Sequence, residues 1–118
     1  TLFPYTTLFR SMRASINRLL ALEPKAMYLT HYSRVPEVQA QGAALLRHLD
    51  ALVALAEAGK DAGALRHVRI KQGMTAYLLA EIHKHGCQLP EATLLDIWAT
   101  DLELNAQGLC VWLDSRKP

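Results

Sequence analysis

The sequence predicts a mostly helical chain, with a short helix, one short strand and then three long helices. Three observations indicate this fold. Apolar residues recur at steps of three and four through most of the second half of the chain. Prolines and glycines divide that half into separate segments. One short apolar run, residues 26–31, has the composition of a strand.

The first two elements precede Pro36. Residues 13–22 fit a short amphipathic helix, which Pro24 ends because proline disfavours helical geometry in the residue before it. Residues 26–31 are apolar and a polar loop follows, so they predict a short buried strand that opens at His31. A run of this length also fits one helical turn. The apolar residues of the helix are Ile16, Leu19, Leu20 and Leu22.

Three long helices follow. Pro36 suits the first turn of a helix, residues 59–63 predict a turn, and Gly86 predicts a C-terminal cap before Pro90 and Glu91 open the last helix. The predicted buried faces are Leu45, Leu46, Leu49, Leu52, Val53 and Ala56 in the first long helix, Leu65, Val68, Met74, Leu78, Leu79 and Ile82 in the second, and Leu95, Trp98, Leu102, Asn105, Leu109 and Trp112 in the third.

Two features do not fit a simple arrangement of one strand and uninterrupted helices. Asn105, Gln107 and Gly108 predict that the last helix is either interrupted or closely packed against a neighbour. A lone strand cannot satisfy its own backbone hydrogen-bonding groups, and the chain has no second strand-like run. We therefore expect the strand to belong to a sheet larger than this chain contains.

Composition limits the classes of function. The chain has 118 residues and a formal charge of +2, too small to attract nucleic acid or an anionic membrane by bulk charge. No segment approaches the roughly 18 consecutive apolar residues of a membrane span. Two cysteines, Cys87 and Cys110, are too few for a disulfide framework, so we expect a reducing, cytoplasmic environment.

Residues 1–11, T-L-F-P-Y-T-T-L-F-R-S, are similar throughout to the in-frame translation of a common short-read sequencing adapter. Both phenylalanines of the chain, Phe3 and Phe9, lie within this segment. We expect the segment to be foreign and set it aside, as one would a fusion scar. The alternative is a natural aromatic strand that contains a proline. On the adapter interpretation, the remaining 107 residues are the C-terminal part of a larger protein.

Several polar clusters have ordinary interpretations. His83, His85 and Cys87 resemble metal ligands only superficially, because residues two apart on a helix point to nearly opposite sides. His83 and Cys87 would converge only if the helix continued through Gly86. A solvated helix end is the simpler expectation.

The basic run near residue 66 predicts a solvated helix face, because it lacks the aromatic residues of a nucleic-acid surface. Trp98 and Trp112 predict core or interface contacts, and the carboxylates of the last helix lack a spacing that pairs them for catalysis. His48 is expected on the surface. The basic run is Arg66, His67, Arg69 and Lys71, and the carboxylates are Asp96, Asp101 and Glu103.

Two stretches resemble a known family. Residues 15–35, S-I-N-R-L-L-A-L-E-P-K-A-M-Y-L-T-H-Y-S-R-V, resemble the late part of a metallo-β-lactamase-fold hydrolase, where a helix leads into a short strand ending in Thr-His. Residues 104–113 are similar to the C-terminal helix of bacterial members that append helices after this point. Ser33 stands where the family often has glycine.

The resemblance implies that His31 is the last ligand of a metal centre, zinc and dinuclear, and that Thr30 helps to frame it. The parent fold would be an αββα sandwich with a C-terminal helical extension. Residues 12–35 would close the truncated domain, and residues 36–118 would form the helical region. The family's H-x-H-x-D-H motif is absent. Since a catalytic zinc needs about three protein ligands to activate its water, we expect no hydrolysis from this chain alone.

Two functions remain open at this point. In the first, the intact protein hydrolyses a small-molecule substrate, with no nucleic-acid or membrane partner, and the last three helices cover the active-site mouth or form a homodimer. In the second, residues 36–118 are a non-catalytic helical interaction module. If the strand belongs to a larger sheet, this chain by itself should expose apolar surface and aggregate or dimerise. A helical module should instead be monomeric.

Overall fold

The computed structural model describes the backbone of residues 4–116 and the side chains of residues 9–116. This part of the chain is mostly helical, as predicted. Its elements are α1 (Pro4–Ala21), β1 (Met27–Tyr28), β2 (Arg34–Val35), α2 (Val38–Gly59), a 3-10 helix (Gly63–Leu65), α3 (Arg66–Lys84) and α4 (Glu91–Asp114). The chain divides into two compact units, Thr1–Ala51 and Leu52–Pro118, and α2 runs from the first into the second.

The first helix is longer than predicted. It begins at Pro4 rather than at residue 13, so residues 4–11 are helical and the alternative of an aromatic strand is wrong for them. Proline suits the first helical position because its missing N–H needs no partner there. Neither glycine nor proline follows until Pro24, so no local signal divides the helix earlier. The helix ends at Ala21, as Pro24 predicted.

The predicted strand finds its partner within the chain. β1 pairs antiparallel with β2, with Met27 opposite Val35. The N–H of Leu29 donates to the carbonyl of Ser33 over 3.0 Å. The expectation that this strand had no partner here was wrong, because the polar residues 30–33 reverse the chain and bring the second strand alongside. The result is a minimal two-stranded hairpin in place of a single strand.

In the first unit, α1 packs against the beginning of α2 at a glycine. A Cβ atom on Gly42 would lie 2.5 Å from Cδ2 of Leu20, so the close approach depends on the missing side chain. The amide of Gln39 donates to the carbonyl of Leu20 over 2.9 Å. Arg13 forms an ion pair with Asp50. The buried apolar residues of this unit are Val38 and Leu49.

In the second unit, α3 and α4 form the main helix pair. The side chains of Ile70 and Met74 on α3 are each 1% exposed. The end of α2 also packs on α3, because a Cβ atom on Gly59 would lie 2.9 Å from Cγ1 of Ile70. The residues that α4 buries are Leu94, Leu102, Ala106, Leu109 and Trp112.

The predicted buried faces are partly right. Met74 of α3 is buried as expected, but Leu65 and Val68 are exposed. α3 turns Ile70 inward instead, which rotates its buried face away from the predicted one. In α4, Leu102, Leu109 and Trp112 are buried as predicted, whereas Asn105 is exposed and Leu95 and Trp98 are only half-buried.

The ends of α3 and α4 follow the local signals, but α2 begins at Val38, so the prediction that Pro36 lies in the first turn of this helix was wrong. Gly86 has φ of +94°, its N–H donates to the carbonyl of His83, and the N–H of Cys87 donates to the carbonyl of Ile82. This is the Schellman pattern that caps helices with glycine. α4 runs uninterrupted from Glu91 to Asp114.

Gly108 lies in open surroundings, with nothing within 4 Å of a Cβ atom placed on it. Both alternatives predicted for residues 105–108, an interruption and a close approach, are therefore wrong. Asn105 is accommodated because its amide donates to the carbonyl of Asp101 one turn earlier, over 2.7 Å.

Two isoleucines test where the core of the second unit lies. Ile70→Ala should lower the free energy of unfolding by roughly 2–5 kcal/mol, since it leaves a cavity in a closed site. Ile97→Ala removes the same atoms from a side chain that is 59% exposed and should change stability by less than about 0.5 kcal/mol. Urea denaturation followed by circular dichroism measures both. Equal losses would contradict the assigned core.

Replacing two glycines by alanine should change the free energy of unfolding in opposite directions. Gly108→Ala should raise the free energy of unfolding by about 0.5–1 kcal/mol, because alanine favours the helix and meets no neighbour. Gly59→Ala should lower it, because the new methyl group meets the buried side chain of Ile70 and overpacking outweighs the gain in helix propensity. The same denaturation experiment decides the signs, and a stabilising Gly59→Ala would argue against the contact.

Candidate functional site

His31 lies in the turn of the hairpin, between β1 and β2. Its side chain is exposed, as is that of Thr30. The turn is held by the Leu29–Ser33 hydrogen bond and by the N–H of Tyr32, which donates to the carbonyl of Leu29 over 3.5 Å. An imidazole in this position is accessible to a metal or a proton donor from outside the unit.

The described residues do not by themselves fit a zinc centre. Within residues 9–116, no three histidine, cysteine, aspartate or glutamate side chains gather closely enough to hold a metal ion. A catalytic zinc needs about three protein ligands and one open position. His31 therefore supplies one ligand at most, and no reaction step follows from it alone.

The apolar side of the same hairpin opens into a cleft. This cleft has a volume of about 380 Å³ and lies between α1, the hairpin and the beginning of α2. Leu29, two residues before His31, forms part of its wall. The polar residues of the wall are Gln41 and His48. His48 was expected on the surface and is half-buried at this cleft.

The cluster of His83, His85 and Cys87 does not form a site. α3 ends at Lys84, and the positive φ of Gly86 turns the chain away from the helix axis. The condition for His83 and Cys87 to converge, a helix that continues through Gly86, is therefore not met. His83 and His85 are exposed, which agrees with the solvated helix end that the spacing indicated.

The basic run of α3 has a structural role that the sequence did not reveal. Nη1 of Arg66 lies 2.8 Å from Oδ1 of Asp114, and Nζ of Lys71 lies 2.7 Å from Oε2 of Glu103. The expectation of a purely solvated face was wrong for these side chains, because α4 runs antiparallel to α3 and brings its carboxylates opposite them. Arg69 is exposed.

Glu103 is the centre of this charged cluster. The amide of Gln107 donates to its Oε1 over 2.8 Å, and Nε2 of His67 lies 3.0 Å from the same oxygen. Nε2 of His67 lacks hydrogen-bond geometry, so this contact is an ion pair only when the imidazole is protonated. The hydrogen bonds from Lys71 and Gln107, helped by the charges of His67 and Lys71, lower the pKa of Glu103 from 4.5 to about 2.

The charge difference between the two helices was the signal that could have revealed these pairs. α4 contains five acidic residues and no lysine, arginine or histidine, whereas the first turns of α3 are basic. Opposite charges on consecutive antiparallel helices indicate cross-helix pairing. The acidic residues are Glu91, Asp96, Asp101, Glu103 and Asp114.

The surroundings of Cys110 do not activate its thiol. Both cysteines are free thiols and half-buried. Burial raises the pKa of the Cys110 thiol above its usual value. A thiol with a raised pKa stays protonated near neutral pH and is a poor nucleophile and a poor metal ligand.

Trp112 is the aromatic anchor of this end of the unit. Its indole is 5% exposed, and the guanidinium of Arg116 lies 5.0 Å from the ring centroid. Arg116 also forms an ion pair with Glu57 near the end of α2. The prediction that Trp112 is a core contact is confirmed. Trp98 lines a small cavity together with Met74, Leu78 and Leu102.

No protein-family model, no curated protein and no solved structure matches this chain. Within the described residues, no helix combines the length and the apolar character that crossing a membrane requires.

The Glu103 cluster predicts a pH dependence of stability. Because the folded pKa lies below the unfolded value, the unfolded state binds more protons between about pH 2 and 4.5, and the free energy of unfolding falls as the pH is lowered through that range. Glu103→Gln should flatten this dependence. Urea denaturation at pH 6 and pH 3 measures it, with Asp96→Asn as the control on the same helix. An unchanged slope in the Glu103 variant would contradict the assignment.

Proposed function

We propose that this chain is the C-terminal part of a metal-dependent hydrolase of the metallo-β-lactamase superfamily, with His31 as the last metal ligand of the intact enzyme. The resemblance of residues 15–35 is the starting point for this proposal. The accessible imidazole of His31, in the turn that follows β1, supports it. The substrate classes that the superfamily implies are thioesters, lactams and phosphodiesters.

The exposed apolar surface of the first unit is the main structural support for this proposal. Tyr28 and Tyr32 of the hairpin are each 79% exposed, and Leu22 is 76% exposed. Large exposed apolar patches mark interaction surfaces. In an αββα sandwich, the remaining sheet would cover this surface. The other large exposed apolar residues of the unit are Met12, Leu19, Leu29 and Leu45.

The zinc centre belongs to the intact enzyme in this proposal. Its remaining ligands, including an H-x-H-x-D-H cluster and a second zinc position, would come from residues outside this chain. Residues 1–11 are proposed to be adapter-derived and take no part in function. The small net charge and the two free cysteines support a cytoplasmic enzyme with a small-molecule substrate and without a nucleic-acid or membrane partner.

The α3–α4 pair favours a second candidate, a helical interaction module over residues 36–118. Its buried row and its cross-helix ion pairs lie entirely within the second unit. Such a unit has its own core, which a binding module needs. In the hydrolase proposal, the same helices cover the mouth of the active site or form a dimer contact.

The first experiment is to resequence the source DNA across residues 11 and 12 with primers unrelated to the adapter. An in-frame H-x-H-x-D-H upstream supports the hydrolase. A start codon at Met12 would overturn it and favour the helical module.

His31→Ala then tests the ligand role in the extended gene product. The variant should lose bound zinc and most of its turnover while keeping its fold, since zinc sites depend on each of their few ligands. His85→Ala, at an exposed helix end, is the matched control and should keep both. Zinc content is measured by elemental analysis and folding by circular dichroism. Full zinc content in the His31 variant would rule out the ligand role.

A further inference from the structure

An apolar row runs along the outward face of α4. Ile97 and Leu104 are each 59% exposed, and Val111 is 67% exposed. Their spacing of seven residues keeps them on one side of the helix, because seven residues come close to two helical turns. The row spans about 21 Å at 1.5 Å per residue. Leu102 and Ala106, in contrast, belong to the buried side of the same helix.

Acidic side chains flank this row on both sides. With about 100° per residue, Asp96 lies on one side of Ile97 and Asp101 on the other. Both are exposed, and the ion pairs between described residues of α3 and α4 involve neither of them. Glu103 and Asp114, by comparison, are engaged by the basic residues of α3. The outward face therefore combines an apolar centre with negative charge that the second unit leaves uncompensated.

The charge selects among possible occupants. An anionic membrane or a nucleic acid would be repelled by Asp96 and Asp101. A second copy of the same face would bring carboxylates against carboxylates, which is unfavourable across an interface. A helix with apolar residues at steps of three and four and lysine or arginine beside them satisfies both features.

We propose that the outward face of α4, defined by Ile97, Leu104 and Val111 with Asp96 and Asp101, binds a basic amphipathic helix of a partner protein. Gly108 supports a close approach, because it lies between Leu104 and Val111 and has open space around it. This inference is independent of the hydrolase proposal, since it uses only residues of α4.

Two synthetic helical peptides test the proposal on the 118-residue chain. Each has about 18 residues, enough to span the row, with leucines at steps of three and four. One carries lysine at the flanking positions, and the other carries glutamate at the same positions. Fluorescence anisotropy of labelled peptides at low and high salt measures binding. We expect the lysine peptide to bind, with affinity falling as salt rises, and the glutamate peptide not to bind.

Variants locate the surface. Leu104→Gln should weaken binding of the lysine peptide roughly tenfold, as truncation of a central interface anchor does. The double variant Asp96→Asn with Asp101→Asn should remove most of the salt dependence. Leu65→Gln changes a leucine of similar exposure, 53%, outside α4 and should bind as the unchanged chain does. Circular dichroism confirms that each variant is folded.

Three results would overturn the proposal. Equal binding of both peptides would show that charge plays no part. Equal weakening by Leu104→Gln and Leu65→Gln would show that the surface is not on α4. Absence of lysine-peptide binding, together with self-association that Leu104→Gln abolishes in sedimentation velocity, would assign the row to contact between copies of this chain.

Discussion

The antiparallel pairing of α3 with α4 is the interaction on which the second unit depends. The pairing buries Ile70 and Met74 on one helix and a row of residues on the other. At its two ends, Arg66 contacts Asp114 and Cys87 follows the glycine cap that reverses the chain. Burial of apolar area supplies most of the free energy of such a pair. The partly exposed ion pairs contribute less to stability but favour one register over its neighbours.

This division of roles explains the polar composition of α4. Its carboxylates would be costly beside a second acidic helix, but α3 presents lysine, arginine and histidine in its first turns. Glu103 has both Lys71 and His67 beside it, and these neighbours contribute to its lowered pKa. Among the described residues, neither Asp96 nor Asp101 forms an ion pair with those cations. The same helix therefore has one side committed to the core and another available to a partner.

The first unit has a smaller buried core than the second. It buries few apolar residues, and a hairpin of two-residue strands forms its only sheet within the described residues. The apolar cleft beside the hairpin and the exposed tyrosines leave this unit with apolar surface that no described element covers. The two proposed functions explain this exposed apolar surface differently. The hydrolase proposal assigns the surface to a covering sheet, and the module proposal places the function in the second unit.

Much of the secondary structure was determined by the sequence alone. Pro24, Gly86 and Pro90 act through backbone geometry, which is local, so the ends of the helices they border were predictable. The buried positions Leu102, Leu109 and Trp112 followed from helical periodicity. The choice between Ile70 and Val68 did not, because α3 has apolar residues on more than one face, and only its neighbours decide which face is covered.

The tertiary structure alone decided the long-range features. It paired residues 34–35 with β1, because a two-residue strand has no period that a sequence pattern could reveal. It placed Glu103 beside His67 and Lys71, since contacts across about 30 residues depend on the register of two helices. It also left Ile97, Leu104 and Val111 outside the core, although their apolar character resembles that of the buried row. Periodicity indicates which faces of a helix are apolar, and only packing decides which of them meets a neighbour within the same chain.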